Sequence, residues 1–295
     1  MAARAWAQGD TTFSTNVKVV SLLATVQDRD GKIVKDLTQD DFILEEDGKV
    51  QTIRYFSRES DLPLTVGLLV DTSRSQTGVL EAERRASYTF LDQVLREGKD
   101  QAFVVSFDTK VATLQGLTSS RKELQSALDR LQIPGEFATL IFSAIRESSE
   151  NLMRKQSGRK AFILLTDGVA FRDPVSMGTA IEFAQRADTI LYSIRYADTI
   201  GFRGPIRTAV RAAASERGKA GLERMAKETG GFAYQVKNSE TIEQIYAQIE
   251  DALRNQYSIG YTPLRPGGDG KFRKIKLTTK DRLLTVRTRD GYYAN

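Results

Sequence analysis

Apolar and polar positions follow three successive rhythms along the chain. Residues 13–60 read as strands. A run rich in β-formers covers 17–26, shorter apolar stretches follow at 42–44 and 50–56, and Asp30-Gly31 and Asp47-Gly48 are hairpin-turn signals between them. Residues 37–41 read as a turn leading into the second stretch. From 63 to 254 the rhythm changes. Continuous apolar runs at 64–70, 102–107, 161–165 and 190–194 have the character of strands buried on both faces. They alternate with helical spacing at 77–97, 121–132, 139–153, 178–187, 219–228 and 240–254, with a short strand at 232–234. In the first of these helices Leu80, Phe90, Leu91, Val94 and Leu95 fall on one side, with the small Ser87 between them. Residues 256–289 return to period two. Tyr257, Ile259 and Tyr261 alternate with Ser258, Gly260 and Thr262; Arg273, Ile275 and Leu277 alternate with Lys274, Lys276 and Thr278; Leu284 and Val286 alternate with Thr285 and Arg287.

Repeated strand–helix units predict an α/β fold: a doubly wound, mostly parallel sheet with helices on both faces, Rossmann-like, over residues 61–254. The flanking segments, 13–60 and 255–295, each have a half-buried face that needs a partner. They are expected to pair into one β-sandwich-like module with the α/β domain inserted between them, two independent sheets being the other arrangement open to them. Residues 1–12 are expected to be a disordered or processed start. There Ala5-Trp6-Ala7 has the small-x-small spacing of a signal-peptidase site, although no apolar stretch precedes it, so a remnant of an export signal and an ordinary chain start both fit. The expected location is secreted, periplasmic or cell-surface. No apolar run is long enough to span a membrane.

Two absences among the 295 residues narrow the chemistry: there is no histidine and no cysteine. Ser-His-Asp and Cys-His catalysis, and zinc, copper or haem sites built on those ligands, are excluded. Any cation held by side chains must be held mainly by oxygen, which points to Mg²⁺, Mn²⁺ or Ca²⁺. The net charge of +5 is too mild to imply a nucleic-acid partner.

Such oxygens gather at one place. Asp71-Thr72-Ser73-Arg74-Ser75 follows the first buried strand directly, and in an open parallel sheet the carboxyl ends of the strands face the ligand crevice. The third buried strand ends in Thr166-Asp167-Gly168 at the same edge, and Thr139 opens a helix after Gly135-Glu136-Phe137-Ala138. Asp71, Ser73, Ser75, Thr139 and Asp167 thus bring two carboxylates and three hydroxyls to one edge. In this order and context the residues resemble the metal-ion-dependent adhesion site of von Willebrand factor A (VWA) domains, which reads Asp-x-Ser-x-Ser, then a distant Thr, then a distant Asp. The resemblance covers residues 63–254. A less specific likeness, through Asp41-Phe42 to Gly48 and through Arg273-Lys274 to Gly291-Tyr292-Tyr293, extends to bacterial secreted VWA-related proteins with flanking β segments.

The resemblance implies that Ser73, Ser75 and Thr139 are inner ligands of Mg²⁺ (or Mn²⁺ or Ca²⁺), that Asp71 and Asp167 act partly through bound waters, and that a partner protein completes the coordination with an Asp or Glu. Arg74 departs from the glycine the family often has there; it either crowds the rim, lowers cation affinity, grips an anionic ligand or points into solvent. Loops leaving the same edge, 169–177 and 198–217, offer a partner-selecting rim of Arg74, Phe171, Arg172, Phe202 and Arg203. The competing reading makes 206–216 an extra amphipathic helix. The C-terminal Lys271, Arg273, Lys274, Lys276, Lys280, Arg282, Arg287 and Arg289 are either the wet side of a half-buried sheet or a face for an anionic polymer or membrane. The expected function is a divalent-cation-dependent protein-binding or adhesion module. A metal-independent scaffold is the alternative. A phosphoryl-transfer enzyme built on Asp71 is disfavoured, because such enzymes usually carry a second Asp two residues on and position 73 is Ser.

Overall fold

The computed structural model describes residues 19–58, 62–134, 137–196, 205–237, 239–265 and 268–294. Its centre is a six-stranded sheet. Strands β5 (Leu64–Asp71), β6 (Gln101–Phe107), β8 (Arg159–Thr166), β9 (Ile190–Tyr196) and β10 (Ala233–Val236) run parallel, and β7 (Val111–Thr118) closes one edge antiparallel. The order is β10-β9-β8-β5-β6-β7. All eight residues of β5 and of β8 are buried, as continuous apolar runs require.

Helices cover both faces. α1 (Leu80–Val94), α2 (Arg121–Asp129) and α6 (Ile242–Arg254) bury Phe90, Leu124 and Ile249 against Val66, Leu68 and Val70. α3 (Ile141–Ser148), α4 (Met177–Arg186) and α5 (Pro205–Thr229) bury Ile145, Ile181 and Met225 against Leu69, Phe103 and Leu164. α1 begins at Leu80, three residues later than its spacing predicts, because Arg74–Gln76 form a 3₁₀ turn first. α3 ends in a π turn, Ser149–Met153.

The flanking segments pair with each other. β1 (Val20–Gln27) runs antiparallel to β11 (Tyr257–Tyr261) and to β13 (Thr285–Arg287), and β4 (Ile53–Ser57) lies on the other side of β11. A second sheet has the order β14 (Gly291–Tyr293), β12 (Phe272–Thr279), β2 (Phe42–Glu46), β3 (Lys49–Gln51). Their inner faces share one core of Leu22, Ala24, Phe42, Leu44, Tyr257, Ile259, Ile275 and Leu277. Across it the rings of Phe42 and Tyr257 meet at 5.3 Å. This is a β-sandwich built from both ends of the chain. The Asp47-Gly48 hairpin holds, with both residues at positive φ (48° and 76°) between β2 and β3.

The basic C-terminal strands do not form one uniform face. Arg273 is buried and bonded to Asp269, Lys276 pairs with Glu45, and Arg289 pairs with Asp188, while Lys271, Lys274, Lys280 and Arg282 are exposed. Among the described residues no helix is long and apolar enough to cross a membrane. Residues 1–12, with Ala5-Trp6-Ala7, lie outside the described residues.

Candidate metal centre

In the sheet order, β5 has β6 on one side and β8 on the other, so the winding reverses between β5 and β8. A crevice opens there at the carboxyl ends of the strands. Asp71 ends β5 and Asp167 follows β8 directly, so both stand at the reversal.

Asp71 is fully buried. Thr166 Oγ1 donates to its Oδ2 at 2.5 Å and the Ser73 backbone N–H to its Oδ1 at 2.9 Å. Burial, reinforced by the charge of Asp167, nonetheless pushes its pKa up to about 7, against the pull of those hydrogen bonds. Ser73 Oγ and Ser75 Oγ lie 3.1 Å apart, and Gln76 Nε2 donates to Ser75 Oγ. Asp167 is half-buried, and its Oδ1 accepts the Val169 N–H at 2.8 Å. Four of the five expected residues are therefore linked directly, by hydrogen bonds or by charge.

Thr139 reaches the same edge by another route. Its backbone exchanges two hydrogen bonds with Phe171, and the next residue, Leu140, donates to the carbonyl of Asp108. Asp108 follows β6 and in turn takes the Thr72 hydroxyl at 2.8 Å. The Thr139 segment is thereby set against the Asp71–Ser75 loop.

Several supporting residues escape the sequence pattern. Asp108 occupies the same position after β6 that Asp167 holds after β8, a signal the sequence contains. Arg195, buried on β9, donates to the Asp167 carbonyl at 3.1 Å and to Ser215 on α5. Glu83 on α1 is fully buried, and among the described residues neither carboxylate oxygen has a hydrogen-bond partner. Burial, with Asp71 adding its charge, raises its pKa well above the ordinary carboxylate value. No motif could have found Glu83, whose setting depends on the packing of α1 against the sheet.

On the rim, Arg74 is exposed and lies over the ring of Phe137, 4.8 Å from its centroid. Arg172, at positive φ, lies 5.2 Å from the centroid of the exposed Phe171. Phe137, 63% exposed, belongs with this pair although the sequence did not single it out. Asp173 turns inward and accepts the Phe142 and Ser143 N–H groups and the Ser143 hydroxyl, capping α3. Ser143 is accordingly buried. Phe202 and Arg203 lie outside the described residues. The expected rim loop 198–217 is corrected from residue 205 onward, where the chain is already α5. Gly218 lies inside this helix and passes close to Gly168: a Cβ at Gly218 would come 2.9 Å from the Gly168 backbone.

The residues fit an oxygen-loving dication by their donor chemistry, two hydroxyls in contact beside two carboxylates. Among the described residues no cluster of three or more acidic residues forms a carboxylate cage.

Comparison with known proteins agrees with this architecture. Proximal thread matrix protein 1 from the mussel byssus superposes with a TM-score of 0.53 at 15% identity, covering 71% of this chain and 51% of that one. The same mussel protein with a zinc-occupied MIDAS motif also superposes with a TM-score of 0.53, at 14% identity, covering 71% and 50%. An aerotolerance-related membrane protein from Bacteroides fragilis matches with a TM-score of 0.49 at 16% identity, covering 64% and 98%. At such identities the likeness to the mussel protein is one of fold. No curated protein matches. The profile of the von Willebrand factor type A domain matches residues 66–248, and the chain belongs to that family.

Proposed function

We propose that the chain is a divalent-cation-dependent protein-binding module of an exported bacterial protein, with Asp71, Ser73, Ser75, Thr139 and Asp167 holding the ion. Mg²⁺ is the favoured ion, with Mn²⁺ and Ca²⁺ as alternatives. A dication held with few direct carboxylates stays electrophilic and gains from an Asp or Glu offered by a partner protein. The observation that carries this reading is the Ser73–Ser75 hydroxyl pair at 3.1 Å beside the buried carboxylate of Asp71.

Each residue has a task under this reading. Thr166 and the Ser73 N–H fix the orientation of Asp71, leaving it little freedom to lose on binding. Gln76 orients the Ser75 hydroxyl. The Arg74–Phe137 and Arg172–Phe171 pairs offer cationic and apolar surface on which an acidic segment could rest. The hydroxyl–carboxylate pairs of this arrangement, Thr166 on Asp71 and Thr72 on Asp108, are buried and serve to orient the site, so the reading is one of binding.

Calorimetric titration of Mg²⁺ and Mn²⁺ into the protein, beside Asp71→Ala, tests it. Saturable binding abolished by the substitution is expected, followed by cation-dependent capture of a partner. Cation binding unchanged in Asp71→Ala would put the ion elsewhere and overturn the assignment. For the rim, Phe171→Ala with Phe137→Ala is expected to weaken partner capture while leaving cation affinity intact.

A further inference from the structure

At the opposite edge of the central sheet, where β8 and β9 begin, the α/β body meets the β-sandwich in a cleft of about 580 Å³. That volume suits a small ligand. Six residues of strand separate its floor at Lys160 from Thr166, so it lies about 20 Å from the metal centre. The cleft draws residues from both parts of the molecule: Lys160, Arg186 and Asp188 from the α/β body, Arg265, Arg289 and Tyr292 from the C-terminal segment.

Its charge is one-sided. Among the described residues that line it, four cationic side chains stand against the single carboxylate of Asp188. Asp188 is paired with Arg289, and Arg186 is paired with Glu182 at 2.8 Å. Lys160 has no ion pair of its own among the described residues. It is 6% exposed, and among the described residues its ammonium donates only to the Gln156 carbonyl, at 3.1 Å, and has no carboxylate within ion-pair distance. Burial lowers its pKa, with Asp188 opposing and Arg289 assisting the shift. A buried ammonium with unused donors, whose counter-charge Asp188 is already paired with Arg289, is costly unless an anion completes it.

We propose that this cleft is a second binding site, for a small ligand whose phosphate or carboxylate group sits against Lys160. Arg265 and Arg289 on the walls add attraction, and the Tyr292 ring covers the ligand's less polar part. Because the walls come from both parts of the molecule, an occupant would also fasten the β-sandwich to the α/β body.

The test uses the full chain at low ionic strength with EDTA present, so that no anion can be held through a cation at the other edge. Inorganic pyrophosphate and citrate are titrated separately by calorimetry, the first reporting phosphate and the second carboxylate recognition. Saturable binding of at least one is expected, weakened at least tenfold in Lys160→Met and unchanged in Asp71→Ala. Absence of saturable heat for both up to about 10 mM, an affinity of less than roughly 3 kcal/mol, would overturn the proposal, as would equal affinity in Lys160→Met. Should that variant fail to fold, acetylation of the wild-type chain read by mass spectrometry decides. Lys160 is expected to be modified and to be protected by the bound anion; modification indifferent to saturating anion would refute the site.

Discussion

At Asp71 two demands oppose each other. A cation ligand must be ionised, yet full burial beside Asp167 raises its pKa to about 7. Without a cation, the folded chain keeps a proton that the unfolded chain has released between about pH 4 and 7. Stability therefore falls as pH rises through that window and stays low above it. The loss is on the order of a few kcal/mol. Glu83, raised by burial and by Asp71, extends the decline in the same direction. Asp41, held below its ordinary value by the Thr38 N–H and hydroxyl, acts oppositely, but only as pH drops below that value. In EDTA the melting temperature is expected to fall between pH 5 and 8, less steeply in Glu83→Gln. A profile that is flat or rises over this range would contradict the burial argument. A second expectation concerns Thr166, whose hydroxyl is the shortest contact to Asp71. Thr166→Val should weaken Mg²⁺ affinity by about tenfold or more, as loss of a ligand's orienting partner generally does. Calorimetry of the variant beside the wild type measures this. Asp71, Ser73, Ser75 and Asp167 could be expected at one edge because they follow strand ends that apolar runs announce, whereas Thr139 follows no strand and is placed there by its order in the motif. Glu83 and Arg195 could not be expected there, since nothing local distinguishes a carboxylate or guanidinium that ends up buried from one in solvent.

Among the elements, those with a strong single rhythm were legible and those without were missed. β5, β6, β8 and β9 are continuous apolar runs, and they lie where those runs predict them. β7 escaped because it is an edge strand, half-exposed along most of its length, with Gln115 and Gly116 interrupting any alternation. α5 was split into a loop and a shorter helix. Its start is rich in Arg and Ala, and Gly218 and Gly221 blur the apolar stripe that otherwise marks a helix. Those glycines serve close packing, Gly218 against Gly168 and Gly221 against Met177. The same principle makes a test in β5. A Cβ at Gly67 would fall 2.3 Å from Phe103 Cζ and 2.8 Å from Phe162 Cδ1. Both rings are fully buried, so neither can step aside. Gly67→Ala is expected to destabilise by about 1–3 kcal/mol through overpacking, read from chemical denaturation. A neutral outcome would show the core beside the metal-bearing strand to be looser than its burial implies.

Across the whole molecule, the chain passes from the β-sandwich into the α/β body near Leu62 and leaves it near Leu253. Arg159, at the start of β8 and only 3% exposed, bonds to both carbonyls: Nη2 to Leu62 and Nη1 to Leu253. Its backbone N–H also donates to Pro63 at 2.8 Å. Arg96 adds a second guanidinium on the Leu62 carbonyl at 2.9 Å, itself braced by Asp100. The two crossings are thus held side by side by charge-assisted hydrogen bonds, buried at Leu253 and part-buried at Leu62. The sandwich needs this, because β1 and β4 before the body must meet β11 after it. A shifted exit would displace β11 by whole residues, and a slip of one would turn Tyr257, Ile259 and Tyr261 out of the core. Coupling of this kind predicts one cooperative unfolding transition for the intact chain. Arg159→Met keeps much of the side chain's length but leaves the Leu253 carbonyl short of a donor, at about 1–3 kcal/mol for the group left unsatisfied, while Arg96 still serves the Leu62 carbonyl. Calorimetric melting is expected to show a lower transition temperature in the variant and a sandwich transition that separates from that of the body. Two well-resolved transitions already present in the wild type would mean that the paired ends and the inserted body fold independently, and that the Arg159 clamp does not join them.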